Sequence, residues 1–105
     1  MMSQLDPLIH QPTRLRIMAS LVSLPEDDQV DFTFLQGLLD LTPGNLSVHL
    51  QKLESAGYVA VDKTFVNRRP KTWIAATAKG RDAFAGHVEA LEAIIGAGAQ
   101  DDKTG

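Results

Sequence analysis

The spacing of hydrophobic residues predicts helices over most of this chain, and it is clearest between residues 43 and 56. Leucines there repeat at steps of four and three residues, which places them on one narrow stripe of a helix: Leu46, Leu50 and Leu53. Thr42 and Pro43 suit the start of this helix, and Gly57 suits the left-handed residue that ends it. The segment is therefore predicted to pack one face on a core and to leave the opposite face free.

The same reading places further elements on both sides of this helix. Helical spacing extends over residues 12–24, 32–39 and 78–97, and residues 29–31 are a candidate short strand. After Gly57 the period changes from 3.6 to 2, which predicts a pair of strands. The predicted hairpin consists of a strand over 58–66, a turn over 67–70 and a strand over 71–76.

Only residues 40–42 separate the second predicted helix from the third. So short a connection forces the two helices to cross steeply, as in a helix-turn-helix. A helix-turn-helix followed by a hairpin is a winged helix, so we expect an α+β fold, mainly α, with a three-helix core, a two-stranded β-hairpin wing and a C-terminal helix. The predicted divisions are an N-terminal arm (1–11), the winged helix domain (12–77), a C-terminal dimerisation helix (78–97) and a flexible tail (98–105).

Two predictions concern the side chains that face the core. The inward residues of the second helix are expected to be Phe32, Leu35, Leu38 and Leu39. In the second strand of the hairpin, neighbouring side chains alternate between the two faces. We favour Trp73 as the one that packs on the core.

The face of the 43–56 helix opposite its leucines carries small or hydrogen-bonding side chains and one cation. The major groove of DNA accepts such a face, which has little bulk and few negative charges, although a solvated surface is the alternative. The carboxamides of Asn45 and Gln51 match adenine edges, and Val48 matches a thymine methyl group. Lys52 suits a phosphate, or else the helix dipole. The candidate DNA-binding residues of this segment are Thr42, Gly44, Asn45, Ser47, Val48, Gln51 and Lys52.

Charge is distributed unevenly along the chain. The formal net charge is −3 at pH 7, but residues 42–81 hold seven basic and two acidic side chains. The flanking stretches, 1–41 and 82–105, each carry a net charge of −4. The local field rather than the total charge steers a polyanion. The acidic total therefore does not exclude nucleic acid as a partner.

The predicted hairpin adds further positive charge. Arg68 and Arg69 at its tip suit a narrow minor groove or phosphates, or else they protect an exposed strand edge. Lys63 and Lys71 are expected to face each other across the hairpin and to contact phosphates. Phe65 either packs on the hairpin or is a wedge at the DNA, and we favour packing.

Catalysis and metal binding find little support in the sequence. The chain has no cysteine, which excludes disulfides and thiolate metal sites. Its histidines lie far apart without the spacing of metal ligands: His10, His49 and His87. Ser47 and His49 are two residues apart and so point away from each other on a helix. We expect no enzyme activity, no metal and no cofactor, and for His49 a structural or phosphate-binding role.

The chain also resembles a known family. Leu-Thr-Pro-Gly-Asn-Leu-Ser-Val-His-Leu-Gln-Lys-Leu-Glu over 41–54, then Ala-Gly-Tyr-Val over 56–59, resembles the winged-helix transcriptional regulators of bacteria and archaea, close to the MarR and ArsR groups. A basic hairpin over 63–72 and Thr-Ala-Lys-Gly-Arg over 77–81 continue a similarity that covers about residues 8–95. The resemblance implies a homodimeric regulator of transcription. It would place the third helix in the major groove of double-stranded DNA and the wing on the backbone or minor groove.

The last predicted helix indicates how two copies would pair. Its apolar stripe extends past the small core that one copy provides, and an exposed stripe of that length marks an interface. Folding back on its own domain is the alternative. The candidate dimer-interface residues are Leu8, Ile9, Phe84, Val88, Leu91 and Ile95.

The sequence therefore predicts a cytoplasmic DNA-binding transcriptional regulator that acts as a homodimer. Its longest apolar runs are far shorter than a membrane span, and its N-terminus lacks a signal-peptide pattern. The alternative is a winged-helix module for protein interaction or dimerisation without sequence-specific DNA binding. A small-molecule effector would have room between the dimer helices, although the sequence identifies none.

Overall fold

The computed structural model describes residues 4–104 of the chain, and it describes side chains for residues 4–97. Within that range the elements are α1 (Pro12–Val22), β1 (Val30–Asp31), α2 (Phe32–Leu39), α3 (Pro43–Ser55), β2 (Val59–Val66), β3 (Arg69–Ala76) and α4 (Ala78–Thr104). This order confirms the winged helix predicted from the sequence. Helices α2 and α3 form the helix-turn-helix, and strands β2 and β3 form the wing.

The hairpin is joined by a third strand. Strand β1 pairs antiparallel with β3, so the order across the sheet is β1-β3-β2. The pairing joins Val30 to Ile74 and Asp31 to Trp73. The candidate short strand of the sequence is thereby confirmed, and it ties the start of α2 to the wing.

The core lies between the helices and the inner face of the sheet. Its buried side chains are Ile9, Ile17, Met18, Leu21, Leu35, Leu39, Leu46, Leu50, Leu53, Val59 and Ile74. All three leucines of the α3 stripe belong to it, with exposed fractions of 4% or less. Burying a leucine side chain contributes about 1.5–3 kcal/mol to stability, so this stripe fixes the rotation of α3 about its own axis.

Two of the residues predicted to face the core do not, although Phe32, Leu35 and Leu39 do. Leu38 is 58% exposed, because α2 docks through Leu35 and Leu39 instead. Trp73 lies half-buried on the outer face of the sheet, because its neighbour Ile74 is the residue that enters the core. A one-residue step along a strand reverses the face, so only one of the two side chains can be inside.

The hairpin turn is two residues shorter than predicted. Val66 pairs with Arg69, so only Asn67 and Arg68 connect the strands. Both have positive φ angles, 52° and 65°. A two-residue turn of type I′ requires this conformation at both positions, and it leaves Arg69 and Pro70 inside β3.

Asp6 anchors the N-terminal arm on the body of the protein. Its carboxylate accepts the backbone N–H groups of Leu8 at 2.9 Å and Ile9 at 3.3 Å, and also the Tyr58 hydroxyl at 2.5 Å. The bond from Tyr58 raises the pKa of that hydroxyl to about 12. Ile9 is completely buried in the chain's own core. The prediction that Ile9 lies in a dimer interface is therefore wrong, since the arm folds on its own chain.

Helix α4 runs past its predicted end at residue 97 and continues to Thr104. Its first turns pack on the core through Ala83 and Phe84, which are partly buried. The flexibility of the tail over 98–105 stays a prediction, and Gly105 lies outside the described residues.

Gly80 allows the start of α4 to approach the end of α3 closely. A Cβ atom on Gly80 would overlap the carbonyl oxygen of Tyr58 and lie 2.8 Å from its carbonyl carbon. Thr77 fixes this approach. Its N–H donates to the Tyr58 oxygen at 3.0 Å, and its hydroxyl donates to the Gly57 oxygen at 2.6 Å while accepting the Gly80 N–H at 3.0 Å.

His87, in α4, is buried and links that helix to the arm. Its Nδ1 accepts the Asp6 N–H at 2.9 Å, so in the neutral ring Nε2 carries the proton. Burial lowers the pKa of His87, the charge of His10 lowers it further, and Asp6 opposes this. The folded protein therefore favours the neutral ring.

We expect Gly80→Ala to lower the free energy of unfolding by about 1–3 kcal/mol, because the added methyl group forces the backbone of α4 away from Tyr58. Gly37→Ala in α2 is the matched control, since a Cβ there meets nothing within 4 Å. That change should raise the free energy of unfolding by about 0.5–1 kcal/mol. Urea denaturation measures both, and stabilisation by both changes would contradict the close approach.

The stability of the protein should decrease as the pH falls. A histidine whose pKa is lower in the folded state contributes fully above its unfolded value of 6.5, and this contribution is lost as the pH falls through the folded pKa. His87→Asn keeps an acceptor for the Asp6 N–H but does not titrate, so its stability should depend less on pH. Burial also lowers the pKa of His49, so some dependence remains. Urea denaturation between about pH 5 and 8 tests this, and equal slopes for both proteins would contradict it.

Candidate nucleic-acid interface

The polar face of α3 points outward because the leucines hold the opposite face in the core. The residues predicted for DNA contact are all exposed in this segment: Thr42, Gly44, Asn45, Ser47, Val48, Gln51 and Lys52. Val48, the apolar member, is 51% exposed. The face is thus open, small in side-chain volume and rich in hydrogen-bonding groups.

Both ends of α3 follow the signals in the sequence. The Thr42 hydroxyl oxygen accepts the Asn45 N–H at 3.2 Å and caps the N-terminus. Gly57 has a φ of 81°, and its N–H donates to the Glu54 oxygen at 2.9 Å. The chain leaves the helix directly into β2, so the wing begins beside the C-terminus of α3.

An open groove of about 430 Å³ lies between α3 and the inner face of the hairpin. Its lining consists of Phe32, Ser47, Leu50, Gln51, Glu54, Val61, Lys63 and Thr72. Ser47 and Gln51 come from the polar face of α3, and Lys63 comes from the wing. The fold thus brings together three predicted site residues from two elements, with one carboxylate, Glu54, beside them.

The other side of the polar face borders the N-terminal arm. A shallow depression there is lined by Leu8, Val48, Gln51, Lys52, Ser55 and Ala56. Leu8, which was predicted for the dimer interface, is half-buried and lies next to α3. The arm therefore forms one edge of the α3 face.

Lys63 and Lys71 do not face each other across the hairpin, so that prediction is wrong. Each lysine stands opposite a threonine, and the register places them on opposite faces of the sheet. Lys71 lies on the outer face, where its Nζ is 3.6 Å from a carboxylate oxygen of Asp31 and 4.9 Å from the centre of the Trp73 ring. These contacts hold Lys71 away from the groove.

Two other cations of the basic segment make internal contacts. The Arg81 guanidinium donates to three carbonyl oxygens at the end of α1 and the loop after it, those of Val22, Leu24 and Pro25. Lys79 places its Nζ 5.8 Å from the centre of the Tyr58 ring. Lys79 is itself exposed but belongs to the start of α4, so the exposed cations carried by α3 and the wing are Lys52, Lys63, Arg68 and Arg69.

Sequence reasoning did not single out Arg14, which holds the side of α3 that carries His49. Its Nε donates to the Leu8 oxygen at 2.6 Å, and its Nη1 lies 3.2 Å from Nδ1 of His49. Because an arginine only donates, His49 accepts through Nδ1 and is neutral. Burial lowers the pKa of His49, and the charges of Arg14 and Lys52 add to the effect. These contacts favour the structural role for His49. The two partners are 35 positions apart, so the pairing leaves no local signal in the sequence.

Phe65 does not pack on the hairpin, contrary to prediction. Its side chain is 76% exposed near the tip of the wing. It follows Val61 and Lys63 on the inner face of the sheet and stands opposite Pro70. The apolar residue nearest the tip is therefore presented on the same side as the groove.

Within the described part of the chain, no three histidine, aspartate or glutamate side chains group as metal ligands would. In the same part, no helix is long and apolar enough to cross a membrane.

Comparison with known proteins agrees with the winged-helix fold. A family model described as winged helix DNA-binding domain matches residues 13–95. The chain is 38% identical over 81 residues to the uncharacterized protein MJ0432 of Methanocaldococcus jannaschii. The match covers 77% of this chain and 85% of that protein.

Solved structures share the architecture. The structure of a transcriptional regulator homologue from Pyrococcus horikoshii OT3 is 33% identical with a TM-score of 0.78, and the match covers 86% of each chain. NadR, solved in complex with 4-hydroxyphenylacetate, is 23% identical with a TM-score of 0.64 over 94% of this chain and 69% of its own. The second match shows a common fold only.

Proposed function

The chain belongs to the winged helix DNA-binding domain family, and we propose that it regulates transcription by docking α3 in the major groove. The outer part of the wing, residues 63–72, would then lie on the neighbouring backbone or minor groove. The observation that carries this proposal is the common groove shared by the polar face of α3 and Lys63 of the wing. A duplex seated on α3 would meet the wing without any rearrangement of the fold.

The centre of the α3 face suits base edges. Gln51 and Asn45 each present a donor and an acceptor together, which matches adenine, and Val48 suits a thymine methyl group. Gly44 and Ser47 add little bulk, and a Cβ at Gly44 would meet nothing within 4 Å. Thr42 lies at the N-terminus of α3, where helix N–H groups attract phosphate. These residues would supply sequence preference and close approach.

Four exposed cations suit the phosphates: Lys52, Lys63, Arg68 and Arg69. Phosphate contacts supply much of the affinity for DNA and make it depend on salt. Lys71 is left out of this set because Asp31 and Trp73 hold it on the outer face. The proposed contact surface thus follows the inner face of the wing and its tip, where Arg69 lies on the outer face but in the last residue pair before the turn.

The backbone of Arg68 also supports a role for the wing tip. Its φ of 65° lies in the left-handed region, which disfavours an arginine by about 1–2 kcal/mol relative to the right-handed region. A glycine would adopt this turn without strain. Strained residues tend to occur at functional sites, and a guanidinium at the tip can enter a minor groove or straddle phosphates.

We also propose that a second copy of the chain pairs through α4. Ile94 and Ile95 are 55% and 67% exposed, and Val88 and Leu91 before them are half-buried. Phe84 contributes less than predicted, since it packs partly on its own core. A two-fold pair would bury the exposed isoleucines and place two copies of α3 roughly 34 Å apart, one turn of DNA.

The dependence of affinity on salt tests the DNA contacts. The purified chain should enrich a duplex from a random pool at low salt, whereas a protein-interaction module would enrich none. On that duplex, Lys63→Ala should lower the slope of log affinity against log salt by about one unit, because one phosphate contact is lost. Lys71→Ala is the matched control on the opposite face and should leave the slope unchanged.

The arginines of the tip extend the same test. Together, Arg68→Ala and Arg69→Ala should lower the slope by about one to two units. An unchanged slope in this double variant would remove the wing tip from the contact surface. Equal effects of Lys63→Ala and Lys71→Ala would contradict the assignment of the inner face.

Pairing through α4 is tested by the mass in solution. The wild-type chain should sediment at twice its mass of 11.4 kDa, and Ile95→Glu should sediment as a monomer, because a charge cannot be buried in an apolar interface. Ala93→Glu adds the same charge at an exposed position on another side of α4 and should leave the dimer intact. A wild-type monomer, or a dimer that survives Ile95→Glu, would contradict this interface.

A further inference from the structure

The tip of the wing carries an apolar side chain that the fold itself does not use. Phe65 is the most exposed large hydrophobic side chain among residues 4–97, at 76% of its surface. It has no place in the core cluster or among the side chains packed against it. Pro70, also exposed, stands opposite it in the β2–β3 register. The tip is therefore an apolar pair presented to the outside.

The charges around this pair indicate what covers it. Arg68 and Arg69 lie at the tip, and Lys63 lies two residues before Phe65 on the same face. From Lys63 to Ala76 the sequence contains no acidic residue. A partner that covers Phe65 must therefore accept several positive charges within a few residues, which favours a polyanion over a neutral or basic surface.

The shape of the tip suits a narrow groove. Asn67 and Arg68 form a two-residue turn, so the strands stay about 4.8 Å apart up to the last residue pair. The minor groove is about 6 Å wide, which admits side chains rather than the whole ribbon, and proteins that bind it insert apolar side chains such as phenylalanine and proline between base steps. Phe65 lies on the inner face, on the side of the groove shared with α3.

We propose that Phe65, backed by Pro70, is a wedge that enters the minor groove and parts a base step beside the site of α3. This inference rests on the proposed function and adds a deformation of the DNA to it. The arginines position the tip on the backbone, and the ring opens the step and bends the duplex toward the major groove. Part of the sequence preference then comes from base steps that unstack easily, at positions where the protein makes no hydrogen bond to a base.

The test compares three variants of the full chain on the duplex enriched by the wild-type protein. The duplex carries 2-aminopurine at successive flanking steps and a dye at each end, so that unstacking and bending are read separately from affinity. Phe65→Ser removes the ring and Phe65→Leu keeps an apolar side chain. Phe34→Ser is the matched control, since Phe34 is 59% exposed and belongs to α2 rather than to the wing. Thermal unfolding of each variant checks that the fold is kept.

Wild-type protein should raise the 2-aminopurine signal at one step in each half-site and shorten the distance between the dyes. Phe65→Ser should bind about tenfold more weakly and lose both signals. Its salt slope should stay the same, because no charge has been removed. Phe65→Leu should retain most of the bend, and Phe34→Ser should behave like the wild type.

Two results would overturn the wedge and separate it from the function it rests on. If Phe65→Ser binds and bends the duplex as the wild type does, the wedge is wrong while DNA binding stands. If the wild type enriches no duplex, the proposed function and the wedge fail together. A separate measurement uses vesicles of phosphatidylserine and phosphatidylcholine. If the wild type binds them and Phe65→Ser does not, the tip belongs to a lipid surface instead.

Discussion

The burial of three leucines on one side of α3 is the interaction on which the rest of this structure depends. Leu46, Leu50 and Leu53 are enclosed by the other helices and the sheet, so α3 cannot rotate without exposing a large apolar area. The side opposite them must then face outward, whatever residues it carries. In this chain that side carries small and hydrogen-bonding side chains. The helix that packs on the core therefore also presents a polar face to a partner.

Polar contacts then fix the segments that lie next to α3. Arg14 holds His49 at one side of α3, and Asp6 joins the arm to Tyr58 and to His87 of α4. These side chains come from elements far apart in the sequence and meet around the C-terminal half of α3. These contacts, with the buried Ile9 and His87, make the arm part of the folded body, and Leu8 forms an edge of the α3 face.

The fold was predictable because local patterns agree with the final packing. The leucine period of α3, its cap at Thr42, its stop at Gly57 and the change to a period of two are all confirmed by the structure. Such features depend on neighbours within a few residues, which the sequence displays directly.

The site was predictable only in part, because strand register and distant contacts are not local. A turn of two residues instead of four places Arg69 in β3, and the resulting register sends Lys63 and Lys71 to opposite faces. The same alternation places Trp73 on the outer face and leaves Phe65 exposed near the tip of the inner face. The pairing of Arg14 with His49 leaves no trace in the pattern of either segment, since it arises only when α1 and α3 pack.

The most direct test of the central claim is a map of backbone amide shifts by nuclear magnetic resonance while the labelled chain is titrated with duplex DNA at low salt. The largest shifts are expected along the outward side of α3, at Ser47 and Gln51, and at Lys63 on the inner face of the wing. Shifts that spare α3 and gather instead around Lys71 and Trp73 on the outer face of the sheet would contradict the account.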